Sequence, residues 1–459
     1  LPHVDMAKPI TRYARTVREP ALVLQELDEA VSRAQGQGCD PGPVYLDFPT
    51  DTLRGDLPKP VQLAEHFKPK PCPRLLPDEA DVSAAVELLR SAKRPLVISG
   101  RGARGAAAEL SAFLTTFNAL YLDTGESKGL IADEHPSVVA AMRGTVMTEA
   151  DVIVTVGRRL DFQLAYGSPA VFKQAKLIRI ADAASELRDN RRGEVELFAE
   201  PRAALAALTA KADGPSPNLD KAWIEGSRAK HLERAAKLKT SMQSAASDKD
   251  GRIHPNRVLA ELQKQMRADA IVVADGGDFL SFARVGLSSS TYLDPGSLGC
   301  IGIGTPFGIA ASLAFPDRQV VVATGDGAFG FNAMEIDTAV RHGAKPLIVV
   351  ANNGAWQIEV HDQTDTHGKV VGTRLQFADH AAMARAFGLH AERVERAEDL
   401  EGAIARAFAS GKAALLDVVI SPEARSSDGK SGLAWVPDLQ PLAAWDDLET
   451  AWRAGGAHR

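Results

Sequence analysis

Cysteine is nearly absent. Cys39, Cys72 and Cys300 are the only three in 459 residues, odd in number and without metal-ligand spacing. A disulfide framework and a zinc site are therefore set aside, and a reducing cytoplasm is the expected setting. No apolar run reaches the length of about 18 residues that a membrane-spanning helix needs. The opening LPHVDMAKPITRYARTV lacks the pattern of a secretion signal, and it begins with Leu rather than Met, which suggests that a segment precedes it. Basic charge is not in excess either: 53 Lys and Arg stand against 59 Asp and Glu, for a net charge of −6. That sign argues against nucleic acid or an anionic membrane as main partner. Repeats at solenoid periods and low-complexity tracts are also missing.

What the chain does have is alternation. Short β-branched apolar runs alternate with amphipathic stretches, the pattern of βαβ units and parallel sheets. The length suggests roughly three domains at about 150 residues each. The first group holds one clear strand, PVYLDF (43–48), after a helix at 18–35. One strand and one helix cannot close a core, so residues 1–56 read as the end of a larger domain. A Pro-rich stretch, 57–77, reads as a linker. The second group, PLVISG, ALYLDT, VIVTVG, KLIRIA and VELFA, predicts a doubly wound, Rossmann-like domain over 78–212. A charged helical connector (213–250) leads to a third group, AIVVAD, VVVATG, PLIVVAN, HAERVE and ALLDVVI, and a second α/β domain over 251–422. The tail, 423–459, carries Trp435, Trp445 and Trp452.

The sharpest chemical signal is VVVATGDGAFGFNAMEIDTAVRHGAKPLIVVANNGAW. One strand ends at Gly325-Asp326-Gly327. A helix follows and stops near Gly343, and the next strand ends at Asn352-Asn353. Ligands bind at the carboxyl edge of an open parallel sheet. Gly325 and Gly327 let backbone N–H groups approach an anion, and the N-terminus of the following helix adds donors and a positive dipole end. An Asp carboxylate and an Asn carbonyl are hard oxygen ligands suited to Mg²⁺, which completes its octahedron with phosphate and water. These residues alone predict a Mg²⁺–diphosphate site. Asp326 does not begin the alternating oxygen pattern of a calcium loop.

GDG followed by NN at this spacing resembles the thiamine-diphosphate signature of the acetolactate synthase, benzaldehyde lyase and 2-hydroxyacyl-CoA lyase superfamily. DGGDF (275–279), GSLGCIGIGTPFGIAASLAFPDRQVV (296–321), RLDFQLAYGSPAVFKQAKLIRI (159–180), PITRYARTV and PGPVYLDFPTD agree with it, so the likeness covers nearly the whole chain. The resemblance implies that Asp326, Asn353 and the carbonyl of Ala355 hold Mg²⁺. Gly276, Gly277, Asp278, Gly325, Gly327 and Ala328 would line the diphosphate. The Gly299 carbonyl would accept from the pyrimidine amino group, and Ile301 would support the bend of thiamine diphosphate. Residues 1–56 would be the end of the pyrimidine-binding domain. In that family a Glu early in this domain bonds the pyrimidine across a dimer interface. That Glu has no counterpart here, and Glu19, Glu26 and Glu29 read as a solvated helix face.

The resemblance further implies reaction at a carbon beside a carbonyl. Gln357, Glu359 and His361, in WQIEVH, follow the metal motif, and His361 aligns with a His of the benzaldehyde lyase pattern WGATLH, which implies proton transfer. The bland alternative is a solvated helix start. His367 and Arg374 are further candidates for a substrate carboxylate or phosphate. Gly100 and Gly102 in ISGRGARG leave FAD or ADP open for the central domain, and the tail is either a lid or a packing arm. Three readings stand: a lyase or carboligase acting on 2-oxo acids, like acetolactate synthase; a 2-hydroxyacyl-CoA lyase or oxalyl-CoA decarboxylase; and a non-catalytic thiamine-diphosphate-binding subunit. The partners expected are a small 2-oxo acid, aldehyde or acyl-CoA and a second copy of the chain, as homodimer or homotetramer.

Overall fold

The computed structural model describes residues 1–37, 40–56, 74–173, 175–426, 450–451 and 454–455. Most of the Pro-rich linker, Cys39, Cys72 and the three tail tryptophans lie outside the described residues. The fold is α/β, as the alternation predicts, and every pairing between its named strands is parallel.

The first sheet holds β1 (Tyr13–Thr16) beside β2 (Val44–Asp47). The sequence reading found only the second. YART alternates polar and apolar residues and is short, so its pattern is weak. The helix before β2 begins at Val23 and ends at Ala34, after a 3-10 turn at Pro20–Leu22. Its Glu26 overturns the expectation of a solvated face. The residue is buried, its Oε2 accepts from the Tyr13 hydroxyl at 2.6 Å, and Oε1 meets Arg15 Nε at 3.2 Å. The charge fits inside because β1 supplies both partners. Glu29 pairs instead with Arg33 at the surface.

The central sheet runs β4 (Leu120–Leu122), β3 (Pro95–Ser99), β5 (Val152–Val156), β6 (Lys176–Ala181), β7 (Val195–Phe198). β3, β4 and β5 are wholly buried, with apolar clusters on both faces. That explains why these strands read as continuous β-branched runs. The charged connector forms the helix Lys221–Gln243.

The last sheet has six strands, in the order β12 (His390–Val394), β13 (Ala414–Val419), β11 (Leu347–Asn352), β10 (Val320–Gly325), β8 (Ile271–Asp275), β9 (Thr291–Leu293). The edge strand β9 was not predicted, since TYL is only three residues long. Helices cover both faces through two separate cores. The single helix expected between Gly327 and Gly343 is two: Asp326–Phe329 and Glu335–His342, the second closed by Gly343 in the left-handed conformation.

Candidate active site

Strand order places the site. The chain leaves β8 toward β9 on one side and returns to β10 on the other, so the loops after β8 and β10 diverge and open a crevice at the carboxyl edge. Gly276 and Gly277 leave β8; Gly325, Asp326, Gly327 and Ala328 leave β10. The two turns are neighbours: a Cβ on Gly276 (φ +101°) would sit 3.5 Å from both the Ala328 Cβ and the Gly325 nitrogen. A Cβ at Gly277 would come within 2.6 Å of Ile358, and one at Gly327 would lie 1.9 Å from the Trp356 ring, so both turns run close beneath the side chains that follow β11. The helix N-terminus at the crevice is not the expected one. The helix starting at Asp326 is a single turn, and the longer one facing the crevice is Asp278–Gly286.

Asp326 is buried, and burial raises its carboxyl to about 7 against the pull of backbone N–H groups from Gly327, Gly354 and Ala355. Its Oδ2 is buried without a partner, and so is Oδ1 of Asn353 at the end of the adjacent β11. Buried oxygens that accept nothing are costly. Ala355 completes the set. It bridges Arg374, but the bonds of that bridge run from Trp356 N–H to the Thr373 carbonyl and from Leu375 N–H to Gly354. The Ala355 carbonyl therefore lies outside them. Two orphaned hard oxygens and a spare carbonyl fit a small divalent cation that takes its other ligands from phosphate and water. Among the described residues no group of three or more His, Cys, Asp or Glu could hold a metal, which leaves this mixed set as the candidate.

Asp278 lies buried at the start of its helix, raised to about 6 by burial, with Oδ1 accepting from Ser426 N–H at 3.3 Å. Gly299 is exposed at φ +64°, with nothing within 4 Å of an added Cβ, and Ile301 is half-buried. The segment they share is anchored by a residue the sequence reading passed over. Asp275 closes β8, and its carboxylate accepts from Gly302 N–H at 3.0 Å, Gly304 N–H at 2.7 Å and Gly276 N–H at 2.7 Å. Burial pushes its pKa up, and these donors oppose it. Its partners lie up to 29 residues away, so local pattern could not reveal them.

Gln357 and His361 begin and follow one turn of the helix Gln357–His367 and so share a face. Their Nε2 atoms are 3.3 Å apart, and His361 Nε2 is also 3.3 Å from the Ala424 carbonyl. Burial and the charge of Arg425 lower the imidazole pKa. Gln357 Oε1 is a further buried, unpartnered oxygen. Glu359 sits about 200° around the helix from Gln357. It is half-buried, and its pKa is raised by burial and by Asp362. His367, at the far end of that helix, and Arg374 are exposed. Trp356 stacks on Phe331 at 6.2 Å, both partly exposed.

The central domain has an equivalent crevice between β3 and β5, and its floor is tightly packed. Gly102 N–H donates to the Gly157 carbonyl at 3.0 Å, and the two backbones touch, since a Cβ on Gly102 would lie 2.7 Å from Gly157 Cα. The buried Arg158 side chain covers Gly100 and is pinned by Asp161 in a two-armed pair at 2.8 Å and by Gln163 at 2.9 Å.

Comparison with known proteins agrees with the geometry. Residues 275–418 match the family model described as thiamine pyrophosphate enzyme, C-terminal TPP binding domain, and residues 82–208 match thiamine pyrophosphate enzyme, central domain. The probable acetolactate synthase of Mycobacterium bovis is 33% identical over 435 residues, covering 92% of this chain and 76% of that protein. A 2-hydroxyacyl-CoA lyase of Arabidopsis thaliana is 31% identical, again covering 92% and 76%. The oxalyl-CoA decarboxylase of Escherichia coli is 28% identical, covering 94% and 76%.

Proposed function

This chain belongs to the thiamine pyrophosphate enzymes, and from that membership we propose that it is a Mg²⁺-dependent lyase or carboligase that makes or breaks a carbon–carbon bond beside the carbonyl of a 2-oxo acid. The observation that carries this is the pair of buried, unpartnered oxygens, Asp326 Oδ2 and Asn353 Oδ1, beside a glycine-lined crevice. Asp326, Asn353 and the Ala355 carbonyl hold the cation. Gly276, Gly277, Asp278, Gly325, Gly327 and Ala328 line the diphosphate, and Gly299 and Ile301 face the rings. Thiamine diphosphate, when bound, supplies the electron sink for the carbon left as the bond breaks. Gln357 and His361 orient the substrate and move a proton: a neutral imidazole takes one at a ring nitrogen, with Gln357 fixing the ring. Glu359, on the other side of that helix, takes no part in this proton transfer.

A second reading, 2-hydroxyacyl-CoA lyase, is favoured by the 31% identity to such an enzyme. We also propose the division into 1–56, 78–212 and 251–422, supported by separate cores in the two larger sheets. Assembly as a homodimer or homotetramer is supported by exposed apolar side chains near the crevice, Leu298, Phe331, Met334 and Val371. Cytoplasmic placement is supported by the exposed free thiol of Cys300. No helix among the described residues is long and apolar enough to cross a membrane.

Two measurements test the reading. Titration calorimetry with Mg²⁺ and thiamine diphosphate should show binding to the native chain and none to Asp326→Ala; unchanged affinity in that variant would reject the site. Product analysis with pyruvate and with a 2-hydroxyacyl-CoA then separates the two substrate classes: turnover of the thioester alone would replace the first reading by the second.

A further inference from the structure

The turns that carry Asp326 and Asn353 both rest on one buried carboxylate outside them. Asp417 lies in the middle of β13 and is fully buried. Its Oδ1 accepts from Asn352 Nδ2 at 2.9 Å, and Asn352 is the residue immediately before Asn353. Its Oδ2 accepts from the His380 backbone N–H at 3.1 Å and from Arg393 Nη1 at 2.8 Å. The His380 ring in turn meets Phe329 edge-on at 5.3 Å, and Phe329 ends the turn that starts at Asp326. Asn352 Nδ2 also reaches the Ala378 carbonyl at 2.9 Å, and the same carbonyl accepts from Arg393. One carboxylate thus ties the end of β11 directly, and the end of β10 through His380 and Phe329.

We propose that Asp417 is a positioning residue that fixes the spacing of the two turns bearing the cation's oxygen ligands, and so sets which divalent ion the site prefers. This rests on the metal reading of Asp326 and Asn353. Its three partners, the Asn352 amide, the His380 N–H and the Arg393 guanidinium, are all donors. An isosteric Asp417→Asn puts an NH₂ against the Asn352 amide or against both the His380 N–H and Arg393, and at least one tie must break. Mg²⁺ needs a near-ideal octahedron at short distance, whereas Ca²⁺ accepts loose, variable geometry. A turn released from Asp417 therefore loses Mg²⁺ more than Ca²⁺.

The test is calorimetric binding of Mg²⁺ and of Ca²⁺, each at saturating thiamine diphosphate, to native protein, Asp417→Asn and Asn352→Ser, with the thermal midpoint of each unliganded protein alongside. Asn352→Ser removes the direct tie, together with the bond to the Ala378 carbonyl, while leaving Asp417 in place, and serves if Asp417→Asn does not fold. The expected result is at least a tenfold rise in the Mg²⁺ dissociation constant with a clearly smaller change for Ca²⁺, and no further loss in the double variant. Equal losses for both ions, following the fall in midpoint, or unchanged Mg²⁺ affinity would overturn the proposal. If native protein binds neither ion, the metal reading itself fails, an outcome distinct from failure of Asp417's role.

Discussion

Asp278→Asn should make the protein more stable at neutral pH and leave it nearly unchanged in acid. Burial raises this carboxyl from its ordinary 3.8 to about 6. Between those two values the folded state holds more proton than the unfolded one, so stability falls as pH rises through that window and the penalty is constant above it. A rise of about two pKa units at about 1.4 kcal/mol each is a penalty on the order of 3 kcal/mol at pH 7.5, roughly half as large at pH 5. Asparagine keeps the acceptor for Ser426 N–H but adds an amide that needs its own partner, which returns about 1 kcal/mol. The net gain is then about 1–2 kcal/mol, or roughly 3–6 °C in the melting of a domain this size. Scanning calorimetry of unliganded protein at pH 5 and 7.5 measures it. A lower midpoint in the variant at pH 7.5, or a difference independent of pH, would refute the reasoning.

Gly327→Ala should drive the Trp356 ring off its turn, because the new Cβ lies 1.9 Å from it. The ring is partly exposed and can swing outward, so folding should change by less than about 1 kcal/mol while tryptophan emission shifts and diphosphate affinity falls at least tenfold. Normal affinity with native emission would contradict this. Arg179→Met removes a fully buried guanidinium that serves Asp189 and the carbonyls of Glu186 and Arg191. Denaturant unfolding should show a loss of about 3–5 kcal/mol, and a loss near zero would mean that those acceptors find other donors. Glu26→Gln should weaken the first sheet by about 1 kcal/mol through its bond to Tyr13, seen as faster amide exchange in 13–16 and 44–47; unchanged exchange would argue against that role.

The sequence was most legible where chemistry and strand ends coincide. Asp326 and Asn353 directly follow six-residue, mostly apolar strands, so their place on the sheet edge followed from chain order alone. Short strands with polar residues, YART and TYL, gave too little pattern and were missed. Glu26 looked solvated because a helical wheel knows nothing of the strand that buries it. Asp275, Asp417 and the Gly102–Gly157 contact were out of reach for one shared reason. Each depends on which strands become neighbours, and that is decided by sheet order rather than by local spacing.

The carboxylate of Asp275 receives amides from both the loop after β8 and the segment leading into the helix Gly304–Ala314. Amides that share one acceptor are released together, so Gly276, Gly302 and Gly304 should exchange with solvent as one cooperative unit. A ligand with phosphates at one end and rings at the other would therefore meet a mouth with a single latch, the two halves of its berth held in register by one carboxylate.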